Sequence, residues 1–222
     1  MPILYNFAPD KHMFSDHKTP KTLRQILAQN CEPTDELVAA LESAAELRRV
    51  PKGKEIVAQG QVCDCFVFIR TGLFRVSHKS ADSEDTILFG TSGDVFTALH
   101  SYYSGEPAVF SLTAVENSET WLVSYADMKR LLEEHLDMLR WMHSLMIEQI
   151  YAFEKRYIFF SNKSAEERFI NFLRDRYGSL RRAPIKYISS FVPLKYIAQY
   201  LKITQSTLSR LRKKLVSRQY NE

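Results

Sequence analysis

The 222-residue chain has only three cysteines, Cys31, Cys63 and Cys65. So small and odd a set gives no disulfide framework and fits a reducing cytoplasm. No apolar run approaches the roughly 20 residues that cross a bilayer, so no membrane partner is expected. The first residues, Met1 to Phe14, lack the basic stretch and apolar core of a secretory signal. Catalytic signatures are missing too. There is no G-x-S-x-G, no P-loop and no G-x-G-x-x-G, nor the H-x-H pair that metal-dependent barrel enzymes use. An enzyme is therefore not expected, and neither is a cofactor or a bound metal. What remains is ordinary soluble-protein composition, 45% hydrophobic and 25% charged.

Charge is distributed unevenly. The net +4 combines about +10 from position 163 onward with about −6 before it. A basic module joined to an acidic body is the footprint of a phosphate-contacting domain. Within that module, Phe191 to Leu215 reads FVPLKYIAQYLKITQSTLSRLRKKL. Ile197, Ala198 and Leu201 give a first short helix (Leu194 to Leu201) an apolar face. A break follows at Lys202-Ile203, and Thr204 is a good N-cap for a second helix. Leu208, Leu211 and Leu215 turn inward on that helix. Gln205, Ser206, Ser209, Arg210, Arg212, Lys213 and Lys214 lie on its other face. Short hydrogen-bonding residues followed by cations suit a helix that inserts its N-terminal end into the major groove of double-stranded DNA.

Upstream, residues 19 to 50 read as helical, with Leu23, Ile26, Leu27, Leu37, Leu41 and Ala45 at three- and four-residue steps and a cap at Thr34. From Pro51 to Ser124, short β-branched and aromatic runs alternate with turn signals, which argues for a β-barrel or sandwich. Leu136 to Phe159 contains neither Gly nor Pro. Its stripe of Leu139, Met142, Met146, Ile150, Phe153 and Tyr157 predicts a long helix that offers one face to a second copy of the chain. A further helix is expected from Ala165 to about Tyr177, opened by a Ser164–Glu167 capping box. Arg181-Arg182-Ala183-Pro184 reads as a turn and Ile185 to Phe191 as a short strand.

Barrel, long helix and basic helix-turn-helix in this order resemble the Crp/Fnr family of bacterial transcription regulators. The glycine-punctuated barrel (Gly60, Gly72 and Gly90-Thr91-Ser92-Gly93-Asp94) and the segment IAQYLKITQSTLSRLRKKL carry the resemblance. It implies an α+β fold. An N-terminal double-stranded β-helix barrel, like a cyclic-nucleotide-binding domain and with flanking helices, would occupy residues 1–134. A long dimerisation helix and hinge would occupy 135–162, and a winged helix-turn-helix domain 163–222. It also implies a homodimer on an inverted repeat, with RNA polymerase as a further partner. By position, Gln205, Ser206 and Arg210 fall where the family reads base edges. Thr204, Thr207 and Lys213 suit phosphate contacts, which position the domain without reading sequence. After Leu215 little chain is left for closing strands, so the wing is expected to be reduced, with Arg181, Arg182 and Lys186 covering part of its role.

The ligand site departs from the family. Members that bind cyclic AMP carry Gly-Glu and Arg-Ser pairs, and aligning Gly93-Asp94 puts Thr97-Ala98 and Ala108-Val109 in their places. Phe153 and Glu154 fall at the purine-contacting positions of the long helix. A phosphate beside Ala108 and Val109 would be an unpaired charge, so cyclic AMP is not expected to bind. A degenerate pocket from Phe96, Thr97, Ala98, Leu99, Ala108, Val109 and Phe153 is expected. It is either filled by its own aromatic side chains or open to a more apolar effector. Iron–sulfur sensing needs four thiolates. A redox role for Cys31, Cys63 and Cys65 stays open beside the reading of Cys65 as a small buried hydrophobe and Cys63 as a loop residue, and so does non-specific nucleic-acid binding. Haem ligation by His78, His100 or His143 has no supporting motif.

Overall fold

The computed structural model describes residues 17–161, 163–177 and 183–219. The N-terminal segment read above, and Arg181 and Arg182 of the expected turn, lie outside the described residues. The chain divides into two compact units, His17–Asn162 and Lys163–Glu222, each with its own buried core.

The first unit begins with two short helices fixed by their caps. Helix α1 (Leu23–Leu27) is closed by a capping box in which the Thr22 hydroxyl accepts from the Gln25 N–H and the Gln25 side chain accepts from the Thr22 N–H. Helix α2 (Asp35–Ala44) is capped as expected by Thr34, whose hydroxyl accepts from Leu37 at 3.2 Å. The helix does not continue to residue 50. At Ala45 the backbone becomes extended, and β1 (Ala45–Val50) pairs along its whole length with a later strand, Ala45 opposite Val123 and Val50 opposite Ser118. Glu-Leu-Arg-Arg favours a helix in isolation, and the ladder to an adjacent strand overrides that weak preference.

The barrel continues with β2 (Glu55–Val57), β3 (Cys65–Thr71), β4 (Leu73–Lys79), β5 (Glu84–Thr91) and β6 (Val95–Phe96). Helix α3 (Leu99–Ser104) interrupts before β7 (Ser111–Ala114) and β8 (Ser118–Ser124). Two four-stranded antiparallel sheets result, in the orders β1-β8-β3-β6 and β2-β7-β4-β5. Strand β3 shows why they close on one another. Its alternate residues Phe66 and Phe68 join the core shared with the flanking helices, while Val67 and Ile69 enter the barrel interior. Period-2 alternation thus buries both faces of one strand.

Helices α4 (Tyr125–Glu134) and α5 (Leu136–Ser161) complete the unit. The sequence stripe along α5 divides in two. Met138, Trp141 and Met142 are buried in the barrel unit's own core, with Trp141 stacked on Phe68 at 5.7 Å between ring centroids. Met142, expected at a dimer face, is therefore a core residue, and Met146 packs against the same cluster. Leu139, Ile150, Phe153 and Tyr157 remain exposed. A helical stripe records that a face is apolar, not which partner covers it.

The second unit is helical. Helix α6 (Ala165–Tyr177) starts with the expected Ser164–Glu167 capping box and buries Phe169, Phe172 and Leu173. The strand expected over 185–191 is instead a 3₁₀ helix, Ile185–Ser190. Ile185 and Ile188 are both buried while Tyr187 between them is exposed, a spacing that a three-residue turn satisfies and a strand does not. Helices α7 (Leu194–Leu201) and α8 (Gln205–Gln219) follow. Among the described residues of this unit there is no strand, so they form no wing.

Candidate nucleic-acid interface and barrel cavity

Helix α7 packs through Ile197, Ala198 and Leu201, all buried. It ends on Lys202, the only described non-glycine residue with positive φ (54°). This left-handed residue lets the Ile203 N–H return to the Ala198 carbonyl at 3.1 Å and turns the chain into α8. Thr204 then caps α8: its hydroxyl accepts from the Thr207 N–H at 3.2 Å, and its carbonyl accepts from Leu208 at 3.0 Å. Leu208 and Leu215 are buried and Leu211 is half-buried. On the opposite side Gln205, Ser206, Arg210 and Lys213 are exposed, and Ser209 and Arg212 are half-exposed. Lys214 is held by Glu166 of α6 at 2.6 Å, so that cation braces the helix pair. Thr204 spends its hydroxyl on the cap and Thr207 is half-buried, which leaves Lys213 the freest of the three residues expected at phosphates.

In the first unit, a cavity of about 310 Å³ lies between the barrel and α5. Of the residues expected there, Phe96, Thr97, Ala98, Leu99 and Val109 line it. Ala108 does not; it is buried in the barrel core. Phe153 does not either, and instead lines a separate cleft with Arg156, Tyr157 and Phe160. Sequence reading missed the share contributed by α5, namely Met142, Leu145, Met146 and Gln149. The signal was present as the i, i+4 methionines, but it was assigned to another surface.

None of the described residues lining the cavity is a lysine or arginine. The nearby buried Arg75 is held in its own sheet, bonded to Glu84 at 3.0 Å and to the Thr86 hydroxyl at 2.8 Å. Thr97, at the Gly-Glu position, donates to the Cys65 carbonyl at 3.1 Å and sits 2.9 Å from the Tyr125 hydroxyl. The cavity is therefore largely apolar; of its few polar groups Thr97 is engaged as above, and His100 Nε2 lies 2.6 Å from the Glu106 carboxylate. Among the described residues no cluster of three His, Cys, Asp or Glu is placed to hold a metal ion, and no helix is long and apolar enough to cross a membrane.

Comparison with known proteins matches this arrangement. Residues 47–135 match the cyclic nucleotide-binding domain family. FixK2 of Bradyrhizobium japonicum superposes with a TM-score of 0.65 at 20% identity, over 78% of this chain and 85% of its own. CLP of Xanthomonas campestris, described as a c-di-GMP responsive global regulator, gives 0.65 at 14%, over 83% and 92%. The catabolite activator protein of Thermus thermophilus gives 0.52 at 18%, over 87% of each chain. The chain has the Crp/Fnr fold. None of the curated proteins matches its sequence. Within that fold, the matched domain spans the barrel and α4, and α7 and α8 are consecutive helices joined by a short turn.

Proposed function

We propose that this protein is a cytoplasmic, homodimeric, sequence-reading transcription regulator of the Crp/Fnr type, that it is not an enzyme, and that cyclic AMP does not switch it. The observation that carries the reading is the α7–α8 pair. A buried leucine seam fixes α8, and Gln205, Ser206 and Arg210 stand exposed at its N-terminal end. Arginine pairs with guanine O6 and N7 and glutamine with adenine, each worth about 1–3 kcal/mol of discrimination. Residues 1–134 serve as the sensor, 135–162 as the dimerisation helix and hinge, and 163–222 as the reading head. Two heads on an inverted repeat address half-sites about one helical turn, roughly 34 Å, apart.

The refusal of cyclic AMP follows from the cavity. A phosphate placed beside Val109 meets no lysine or arginine among the described lining residues, and a buried unpaired anion is strongly disfavoured. Any signal felt in the cavity is also felt by α5, because Met142 and Met146 line it while Ile150, Phe153 and Tyr157 of the same helix face outward. RNA polymerase is the further partner expected of such a regulator.

The test is selection of bound duplexes from a random pool by full-length protein, with Arg210→Ala alongside. An enriched inverted repeat that Arg210→Ala loses supports the reading. Retention of DNA at low salt without sequence enrichment would make the protein a non-specific binder. A rise in melting temperature with cyclic AMP would overturn the account of the cavity.

A further inference from the structure

The proposed DNA reading assigns no ligand to the cavity between the barrel and α5, yet the chemistry of its wall is specific enough to name a class. Its depth is apolar: Phe66, Val76, Val95, Ala98 and Met142 line it and are all buried. Its rim is marked by His100, Val109 and Gln149, which line it and are exposed. Behind the wall, polar groups bond to one another in a knot. Thr97 donates to the Cys65 carbonyl at 3.1 Å, and the Cys63 sulfur stands 3.4 Å from that same oxygen. The Tyr125 hydroxyl donates to the Ala98 carbonyl at 3.2 Å and lies 2.9 Å from the Thr97 hydroxyl. None of the five buried lining side chains is a strong donor or acceptor, so polar recognition is confined to the rim.

Two kinds of wall enclose the space. The barrel side contributes the rings of Phe66, Phe96 and Phe110, and α5 contributes the thioethers of Met142 and Met146. Phe66 already meets Tyr102 and Tyr125 edge-on, at 5.3 and 5.6 Å between centroids. Phe96 owes its place to Gly90, where an added Cβ would come within 2.2 Å of the ring. Gly90 is not among the described glycines with positive φ, so it is the seat of Phe96, not the backbone, that requires glycine there. Ring edges and methionine sulfur both favour contact with a further aromatic ring. Size adds a bound. An apolar cavity of about 150 Å³ holds one benzene, so this one suits a ligand roughly twice as large, about ten to fourteen heavy atoms. Charge adds another. No lysine or arginine lines the cavity among the described residues, and the rim base His100 is already paired with Glu106 at 2.6 Å. The Gln149 carboxamide at the rim offers one donor and one acceptor group.

We propose that the cavity is a site for a neutral two-ring aromatic molecule carrying a single hydroxyl or amine. Its rings lie between the phenylalanines and the α5 methionines, and its polar end meets Gln149. The proposal rests on the reading of residues 1–134 as a sensor and names the class of compound sensed. A carboxylate or phosphate would enter without a counter-ion. A polyhydroxylated ligand would bury hydroxyls that find no partner in the depth. An alkyl chain fills the volume but forgoes the sulfur and edge-on ring contacts.

The test is isothermal titration calorimetry of full-length protein, without DNA, against three probes. 2-Naphthol is the neutral aromatic, 2-naphthoate keeps its rings and adds a negative charge, and 1-decanol is an aliphatic alcohol of similar size. 2-Naphthol is expected to bind with a dissociation constant on the order of 10–100 µM and a negative heat-capacity change. The naphthoate and the decanol are each expected to bind at least about tenfold more weakly. Gly90→Ala, which drives a methyl into the Phe96 ring, and Leu145→Trp, which fills the cavity from α5, should each weaken 2-naphthol about tenfold or more. Circular dichroism checks that both stay folded, and if Gly90→Ala does not, Leu145→Trp decides. Gln149→Leu should cost about fivefold, the value of one hydrogen bond. No binding at about 1 mM, or binding that the cavity-filling variant leaves unchanged, overturns the site. Equal affinity for naphthoate or decanol overturns the ligand class, and an unchanged constant in Gln149→Leu overturns the placement of the polar end. None of these titrations reads duplex binding by α8, so the two proposals fail separately.

Discussion

Replacing Phe153 with alanine should weaken the proposed dimer several-hundred-fold while leaving both units folded. The ring is 72% exposed on α5, flanked by Ile150 at 59% and Tyr157 at 72%. A phenylalanine side chain presents about 200 Å². An interface covering the exposed part removes about 150 Å² from water per copy, worth about 3–4 kcal/mol. Alanine keeps roughly a third of that area, so each copy loses about 2 kcal/mol, and a two-fold interface contains the position twice. Discounted because area sums are upper bounds, a loss of about 3–4 kcal/mol corresponds to a dissociation constant raised roughly 200- to 1000-fold. Sedimentation equilibrium across a concentration series reads the constant, and circular dichroism checks the fold. Met142→Ala, a few turns earlier on the same helix but buried in the barrel core, should do the reverse, costing about 2–5 kcal/mol of stability. A dissociation constant within tenfold of the parent for Phe153→Ala would refute the α5 interface.

The other expectations concern single residues. Leu208→Ala, at the buried centre of the α7–α8 seam, should cost the second unit about 2–5 kcal/mol, read as a fall in its thermal midpoint together with lost duplex binding. Lys202→Gly removes a side chain from a left-handed position, φ 54°, and should stabilise the same unit by about 0.5–1 kcal/mol in a denaturant titration. Iodoacetamide alkylation of Cys31, raised by burial, should slow about tenfold per unit between about pH 8 and 6, and a flat profile would contradict the assigned shift.

The sequence by itself determined whatever depends on local periodicity and capping chemistry. The Thr34 cap, the Ser164–Glu167 box, the Lys202 break, the Thr204 cap and the leucine seam of α8 were all legible, because a helix end states its requirements within four residues. The reading face of α8 was legible for the same reason, since the residues left over from a buried seam must face outward. Tertiary structure decided what depends on which surface meets which. Residues 45–50 became a strand only because β8 lies alongside, and Ile185 to Ser190 became a 3₁₀ turn because their own core lies at every third residue. The stripe on α5 was divided between barrel core and open face by the position of the barrel, and the cavity drew Met142 and Met146 into its wall. The knot joining Cys63, Cys65, Thr97, Ala98 and Tyr125 spans about sixty positions of chain. No local pattern announces it, because only the closure of one sheet onto another brings those atoms within hydrogen-bonding distance.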